Sequence, residues 1–71
     1  MKPRTPEQEM FDENPDYTHF VVDTSLCEIE SGWYYKEDAQ EHLNAMKQEF
    51  EQAKYYKVWT RNYTKRFFEI Y

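Results

Sequence analysis

The sequence contains one glycine and one cysteine in 71 residues, and each scarcity excludes a class of site. A single glycine cannot form the glycine-rich loops with which many nucleotide-binding proteins hold phosphate groups. A single cysteine, Cys27, excludes an internal disulfide and the zinc sites that use paired cysteines. Small secreted domains generally need several disulfides, so the sequence favours a cytoplasmic protein. Its length favours a single domain.

Long apolar runs and catalytic motifs are also lacking. No stretch approaches the roughly 18 apolar residues of a membrane span, and the first residues lack the apolar core of a signal peptide. His19, His42 and Cys27 do not have the spacing of metal ligands. Cys27 alternates with Ile29 in a predicted strand, where a buried thiol is expected rather than a nucleophile. We therefore expect no enzymatic activity, metal, cofactor or membrane association.

Aromatic and acidic residues are abundant instead. Phe, Trp and Tyr make up 20% of the chain, and the formal net charge is −5. Residues 1–54 carry five Lys or Arg against thirteen Asp or Glu, whereas residues 55–71 carry four against one. Two explanations fit this uneven charge. Either the basic end lies near the acidic helix and lowers self-repulsion, or the chain has two distinct binding surfaces.

The first 16 residues are predicted to form a flexible acidic arm. They contain all three prolines, which interrupt regular structure, and five acidic side chains. Thr5 and Pro6 have the pattern of a helix start, so a short helical turn from Pro6 to Phe11 is the alternative. Met10 and Phe11 are the apolar side chains through which this arm would dock onto the rest of the protein.

Two alternating segments, residues 17–23 and 27–33, predict an antiparallel hairpin with a turn around Thr24 and Ser25. Alternation in the first strand places side chains on two faces. One face holds Phe20 and Val22, and the other holds Tyr17, His19 and Val21. In the second strand, the side chains expected on one side are Cys27, Ile29 and Ser31. Gly32 is expected to relieve a bend or bulge, and Trp33 to lie over the start of the next helix.

An amphipathic helix is the clearest pattern in the sequence. Its apolar stripe has a spacing of four, three, four and three residues, and consists of Ala39, Leu43, Met46, Phe50 and Ala53. Glu37 and Asp38 complement the positive start of the helix dipole, and Lys54 complements its negative end. The start of the helix lacks a good capping residue, because Tyr35 or Lys36 occupies that position.

The remaining residues predict one more strand and a final element. Residues 55–60 alternate and are rich in β-forming side chains. Residues 61–71 fit either a short helix beginning from an Asn62 cap or a closing strand, and the missing glycine or proline turn after Thr60 favours the helix.

The predicted fold class is α+β. We expect residues 17–71 to form a single domain of order β-β-α-β plus a C-terminal short helix or strand. The amphipathic helix is expected to pack on one face of a small antiparallel sheet, because its apolar stripe must be buried against another element.

The aromatic excess is the main indication of function. One helix covers one face of the predicted sheet, so some rings are expected on the uncovered face, at its rim or beneath the arm. Exposed tyrosine and tryptophan are typical of protein interfaces, and a coat of tyrosines on a small sheet is the alternative explanation. The candidate interface comprises Tyr17, His19, Tyr34, Tyr35, Tyr55, Trp59 and Tyr63. The sequence therefore predicts a small non-enzymatic module that binds a protein partner or forms a homodimer.

Two alternative functions concern nucleic acid. Residues 54–67 interleave basic and aromatic side chains, a pattern that holds single strands by stacking and phosphate contacts. The candidate basic patch comprises Lys57, Arg61, Lys65 and Arg66. In the other alternative, the acidic helix and arm imitate nucleic-acid phosphates or engage a basic protein. In size, acidity, aromatic load and lack of catalytic motifs, the chain resembles short accessory proteins of bacteria and their phages, which implies an inhibitor or adaptor.

Overall fold

A computed structural model describes residues 5–69 and shows an α+β fold. The helices are α1 (Pro6–Glu13), α2 (Lys36–Glu49) and α3 (Arg61–Phe68), with a 3₁₀ helix at Glu51–Tyr55. The strands are β1 (His19–Asp23), β2 (Glu28–Trp33) and β3 (Tyr56–Thr60). Within the described residues they form an antiparallel sheet in the order β2-β1-β3. The predicted fold class and the order of strands and amphipathic helix are therefore confirmed.

The central strand β1 separates two hydrophobic clusters, because its side chains alternate between the faces of the sheet. Phe20 and Val22 pack with Phe11 on the face covered by α1 and α3. Val21 packs with α2 on the opposite face. Burial of a side chain of this size contributes about 1.5–3 kcal/mol, so β1 is a major source of stability. The amphipathic helix covers one face as predicted, and two short helices cover the other.

Helix α1 begins with reciprocal hydrogen bonds between Thr5 and Gln8. The Thr5 N–H donates to Gln8 Oε1 at 3.1 Å, and the Gln8 N–H donates to Thr5 Oγ1 at 3.2 Å. Phe11 is 3% exposed and stacks on Phe20 with 4.7 Å between the ring centroids. The predicted helical turn from Pro6 is therefore present, and it contributes to the core. The flexibility of residues 1–16 stays a prediction, and residues 1–4 lie outside the described part.

The predicted amphipathic helix ends earlier than its apolar stripe indicates. Helix α2 ends at Glu49, and Phe50 has an extended backbone, with φ of −128° and ψ of 124°. Ala39, Leu43 and Ala53 are buried, but Phe50 is 53% exposed. The prediction of Phe50 as a core residue is wrong, because the extended backbone redirects the chain toward β3. Ala53 of the 3₁₀ helix reaches the core instead.

The pairing of β1 with β2 contains a bulge at Glu30 that changes which side chains share a face. Val22 pairs with Ile29 and Val21 pairs with Ser31, so Glu30 is the extra residue. Ile29 packs in the cluster of Val22, whereas Ser31 lies opposite Val21 on the α2 face. The prediction that Ile29 and Ser31 share one side is therefore wrong, because alternation is interrupted at a bulge.

Gly32 is required by a close contact with an aromatic ring. A Cβ atom at Gly32 would overlap Cδ2 of the Tyr17 ring. Tyr17 precedes β1, so it does not follow the alternation of the strand, and it packs on the Phe20 face. Its predicted place on the face of Val21 is wrong for that reason. The glycine makes room for the ring beside the sheet.

The turn between β1 and β2 is organised by the buried carboxylate of Asp23. Its Oδ1 accepts from the Ser25 Oγ–H at 2.7 Å, from the Ser25 N–H at 2.9 Å and from the Leu26 N–H at 3.2 Å, and Gln52 Nε2 donates to Oδ2 at 3.2 Å. Burial alone would raise the pKa of Asp23, but these hydrogen bonds outweigh it and hold the pKa below its usual value. Cys27 ends this turn with φ of 53° and is exposed. The prediction of a buried Cys27 is wrong, because the residue belongs to the turn.

Helix α3 confirms the favoured interpretation of residues 61–71. The helix begins after Thr60, whose Oγ1 accepts a hydrogen bond from the Tyr63 N–H at 3.3 Å. The prediction of Asn62 as the cap is wrong, because Thr60 caps the helix directly at the end of β3. Ile70 and Tyr71, which complete the predicted apolar spacing, lie outside the described residues.

Replacement of Gly32 by alanine is expected to lower the free energy of unfolding by about 1–3 kcal/mol, as overpacking commonly does. The cause is the overlap between the new Cβ atom and the Tyr17 ring. Chemical denaturation of Gly32→Ala against the wild type measures the loss. In a Tyr17→Ala background the same substitution should be nearly neutral, and an equal loss in both backgrounds would contradict the contact.

Candidate functional site

Three aromatic side chains form a partly exposed cluster where α3 meets the edge strand β3. Trp59 lies on β3, and Tyr63 and Phe67 lie one turn apart on α3. The centroid of the Trp59 ring lies 4.8 Å from each of the other two centroids, in edge-to-face geometry. Tyr63 is 53% exposed and Phe67 is 48% exposed. We term Trp59, Tyr63 and Phe67 the aromatic surface.

The orientation of α3 explains why these rings are exposed. Thr64 is fully buried, and its Oγ1 donates a hydrogen bond to the Thr60 carbonyl oxygen at 2.7 Å. With Thr64 toward the sheet, the 3.6-residue repeat places Tyr63 and Phe67 together on one flank of the helix. Arg61 lies on the other flank, so the rings point away from α1 and toward the outer edge of β3.

Arg61 holds α1 against the rest of the fold. Its guanidinium donates hydrogen bonds to the carbonyl oxygens of Phe11, Asn14 and Tyr17 at 2.9–3.2 Å. Its Cζ lies 4.8 Å from the centroid of the Phe11 ring, which is cation–π geometry. A cation is also favoured near the carbonyl end of α1 by the helix dipole. Arg61 therefore has a structural role, which separates it from the rest of the predicted basic patch.

The other members of the predicted basic patch are Lys57, Lys65 and Arg66, and all three are exposed. Lys57 lies two residues before Trp59 on β3, so both side chains point to the same face of the sheet. Lys65 follows Arg61 by one turn and lies on the α1 side of the helix, whereas Arg66 lies on its outer side. Lys57 and Arg66 therefore flank the aromatic surface, and Lys65 lies on the far flank of α3.

Four residues of the predicted interface lie where β1 begins and β2 ends: Tyr17, His19, Tyr34 and Tyr35. Tyr17 is half-buried, and its ring meets that of Tyr34 with 4.9 Å between the centroids. His19 Nδ1 lies 2.9 Å from Thr18 Oγ1. Tyr35 precedes α2 without a side-chain capping bond, as expected, and is 66% exposed. These four residues lie at one end of the sheet, but Tyr17 is half-buried and part of its ring is already covered within the fold.

The seven predicted interface residues are thus divided among three places. Tyr55 lies at the opposite end of the sheet, where Lys54 Nζ is 5.2 Å from its ring centroid. Trp59 and Tyr63 are brought together as neighbours. Phe67 completes their cluster and was not among the predicted residues, although its spacing of four residues from Tyr63 was visible in the sequence.

A polar network on the opposite face of the sheet links β2 to α2. Trp33 Nε1 donates to Ser31 Oγ at 2.8 Å, and Ser31 Oγ donates to Glu30 Oε2 at 2.6 Å. His42 Nε2 lies 3.1 Å from the same Glu30 oxygen, and the rings of Trp33 and His42 lie 4.8 Å apart. The predicted position of Trp33 over the helix is confirmed. The network itself was missed, because the sequence predicted a bend or bulge at Gly32, whereas the bulge that turns Glu30 toward α2 lies two residues earlier.

The acidic residues of the phosphate-mimic hypothesis are exposed along α2. Glu37, Asp38 and Glu41 occupy its first turns, and Lys36 and Lys47 lie among the acidic positions of the same helix. Asp38 and Glu41 border a shallow groove beside the indole of Trp33, which lies on β2. The mimic hypothesis stays a prediction.

Within residues 5–69, no group of three or more His, Cys, Asp or Glu side chains is arranged to hold a metal ion. No helix in this part of the chain is long and apolar enough to cross a membrane. Comparison of the chain with protein-family models, curated proteins and solved structures finds no match. The functional interpretation therefore depends on the chain's own surface.

Replacement of Arg61 by methionine is expected to lower the free energy of unfolding by about 1–3 kcal/mol, because three carbonyl oxygens lose their donor. Thermal or chemical denaturation measures this loss. Lys65→Met is the matched control one turn later on the same helix, and its effect should be within about 0.5 kcal/mol. Equal effects of the two substitutions would show that Arg61 does not hold α1.

Proposed function

We propose that this protein is a small non-enzymatic protein-binding module, an adaptor or inhibitor, and that the aromatic surface is its contact site. The observation that carries the proposal is the exposure of Tyr63 and Phe67, about half of each side chain, beside half-buried Trp59. Rings held against one another lose little conformational entropy when a partner covers them. Clustered aromatic side chains of this kind dominate the binding energy of many protein interfaces.

The continuity of this surface distinguishes it from the other exposed apolar side chains. Leu26 is 61% exposed in the turn between β1 and β2, and Phe50 is 53% exposed after α2. Single exposed apolar side chains are common on soluble proteins and need no partner to explain them. Three neighbouring rings, with Trp59 in contact with both Tyr63 and Phe67, are a better basis for a binding site.

The test is cross-linking and affinity capture of the tagged protein in its native cell. The double variant Tyr63→Ser with Phe67→Ser should capture about tenfold less partner protein, or less still, because each ring is expected to contribute over 1 kcal/mol to binding. Phe50→Ser is the matched control, since Phe50 is as exposed as Tyr63. It should capture the same proteins as the wild type. Circular dichroism shows whether each variant is folded.

Two results would contradict the proposal. One is a folded double variant that captures the same proteins, itself included, as the wild type. The other is a wild type that captures neither another protein nor a second copy of itself at cellular concentration.

Single-stranded nucleic acid is a second candidate ligand for the same surface. The observation that favours it is the position of exposed Lys57 and Arg66 beside the three rings, since phosphate contacts and base stacking are needed together. Two considerations oppose it. The net charge of −5 repels phosphate, and the guanidinium of Arg61 is used within the fold.

Fluorescence anisotropy with a labelled oligothymidine tests this candidate. If it is correct, the wild type binds at low salt and releases the strand as salt is added. Lys57→Glu with Arg66→Glu should abolish binding, whereas Lys36→Glu with Lys47→Glu on α2 changes the net charge equally and should weaken it less. Absence of binding by the wild type at low salt ends this candidate.

A further inference from the structure

The outer edge of β3 is an open side of the sheet next to the aromatic surface. The strand order β2-β1-β3 leaves no strand of residues 5–69 beside it. The Thr24 N–H donates to the Tyr55 carbonyl oxygen at one end of the β1–β3 ladder. Hydrogen bonding alternates along an antiparallel ladder, so the backbone N–H and carbonyl groups of Lys57 and Trp59 also point toward β1. Every second residue of β3, beginning with Tyr56, therefore directs its backbone groups outward.

Two of these outward groups are already used within the chain. The Tyr56 N–H donates to the Ala53 carbonyl oxygen. The Thr60 carbonyl oxygen accepts from Thr64 Oγ1 at 2.7 Å. Among residues 5–69, the outward groups that remain are the N–H and carbonyl of Val58, the N–H of Thr60 and the carbonyl of Tyr56.

We propose that a second copy of this chain pairs with this edge, β3 against β3 in antiparallel orientation, about a two-fold axis at Val58. In this register the two Val58 residues exchange two hydrogen bonds, and each Thr60 N–H meets the Tyr56 carbonyl of the other copy. All four bonds use the groups that remain open. Registers centred one residue to either side form only two bonds within β3, because they need the Tyr56 N–H or the Thr60 carbonyl.

The side chains at this edge fit the same arrangement. An axis perpendicular to the sheet places both copies of α3 on one face, so the two aromatic surfaces approach each other across the axis. Lys57 lies opposite Trp59 of the second copy, at the spacing of a cross-strand pair, and its ammonium group is complementary to the indole ring. The inference rests on the proposed function, because it names the partner of the proposed contact surface.

Charge sets the salt dependence of this association. Each copy has a net charge of −5, and pairing brings Lys57 and Arg66, which flank the aromatic surface, toward the same residues of the second copy. Like charges therefore oppose pairing, and added salt should strengthen it by screening. Binding of nucleic acid at the same surface would weaken as salt is added, so the two interactions respond to salt in opposite directions.

The experiment measures dimer formation by sedimentation velocity over a range of protein concentrations for Thr60→Pro and Thr60→Ala. Thr60 has φ of −68° and ψ of 159°, which proline adopts without strain. Both variants lose the Thr60 cap, but only proline removes the outward N–H. Thr60→Pro should therefore dimerise at least about tenfold more weakly than Thr60→Ala.

Amide hydrogen exchange of the wild type provides a second measurement. Exchange at the Val58 N–H should slow as protein concentration rises, whereas exchange at the Tyr56 N–H, which is already bonded to Ala53, should not change. A wild type that stays monomeric overturns this inference and leaves the capture experiment to decide the proposed function. A dimer affected equally by the two Thr60 variants, or a Val58 exchange rate independent of concentration, also overturns edge pairing.

Discussion

The burial of β1 on both faces is the constraint on which the rest of the structure depends. Phe20, Val21 and Val22 are fully buried in consecutive positions, and alternation sends them to opposite faces. Each face therefore needs its own cover. Helix α2 has enough length and apolar side chains to cover one face alone. The other face is covered by α1 and α3, two short helices from distant parts of the sequence, and the hydrogen bonds of Arg61 join them.

The structure could be predicted from the sequence where it follows a local hydrophobic period. It could not be predicted where tertiary contacts cause one residue to break that period. Alternation predicted the hairpin and β3, and the helical stripe predicted α2. The extra residue at Glu30 and the extended backbone of Phe50 have no evident composition signal, because they serve pairing and redirection of the chain. In the candidate site, Trp59 and Tyr63 were predicted from residue type alone. The role of Arg61 was not predictable, because its three acceptors lie 44–50 residues away in sequence.

The two sides of the sheet differ in the contacts of their side chains: polar groups on the α2 face bond one another, whereas aromatic rings on the α3 side stay partly exposed. On the α2 face, Trp33, Ser31, Glu30 and His42 form a closed polar chain that joins helix to strand. Tyr56 on this face has its pKa raised by burial and by neighbouring carboxylates. On the α3 side, Trp59 packs inward against the core while meeting Tyr63 and Phe67 outside it. A small domain thus uses one tryptophan both to complete its core and to support a surface.

The long-range bond between Arg61 and the carbonyl of Phe11 has a consequence for how the chain reaches this structure during synthesis. Helix α1 and the hairpin of β1 and β2 emerge first, and α2 follows and covers Val21. Phe20 and Val22 are fully covered only after residues 56–68 are synthesised, because α3 and Arg61, which holds α1 in place, both belong to that segment. Folding dominated by contacts of such sequence separation is slow, and an apolar strand face is open to other chains meanwhile. The nascent protein is therefore most vulnerable to aggregation through the α1 and α3 side of its sheet, before Arg61 is in place.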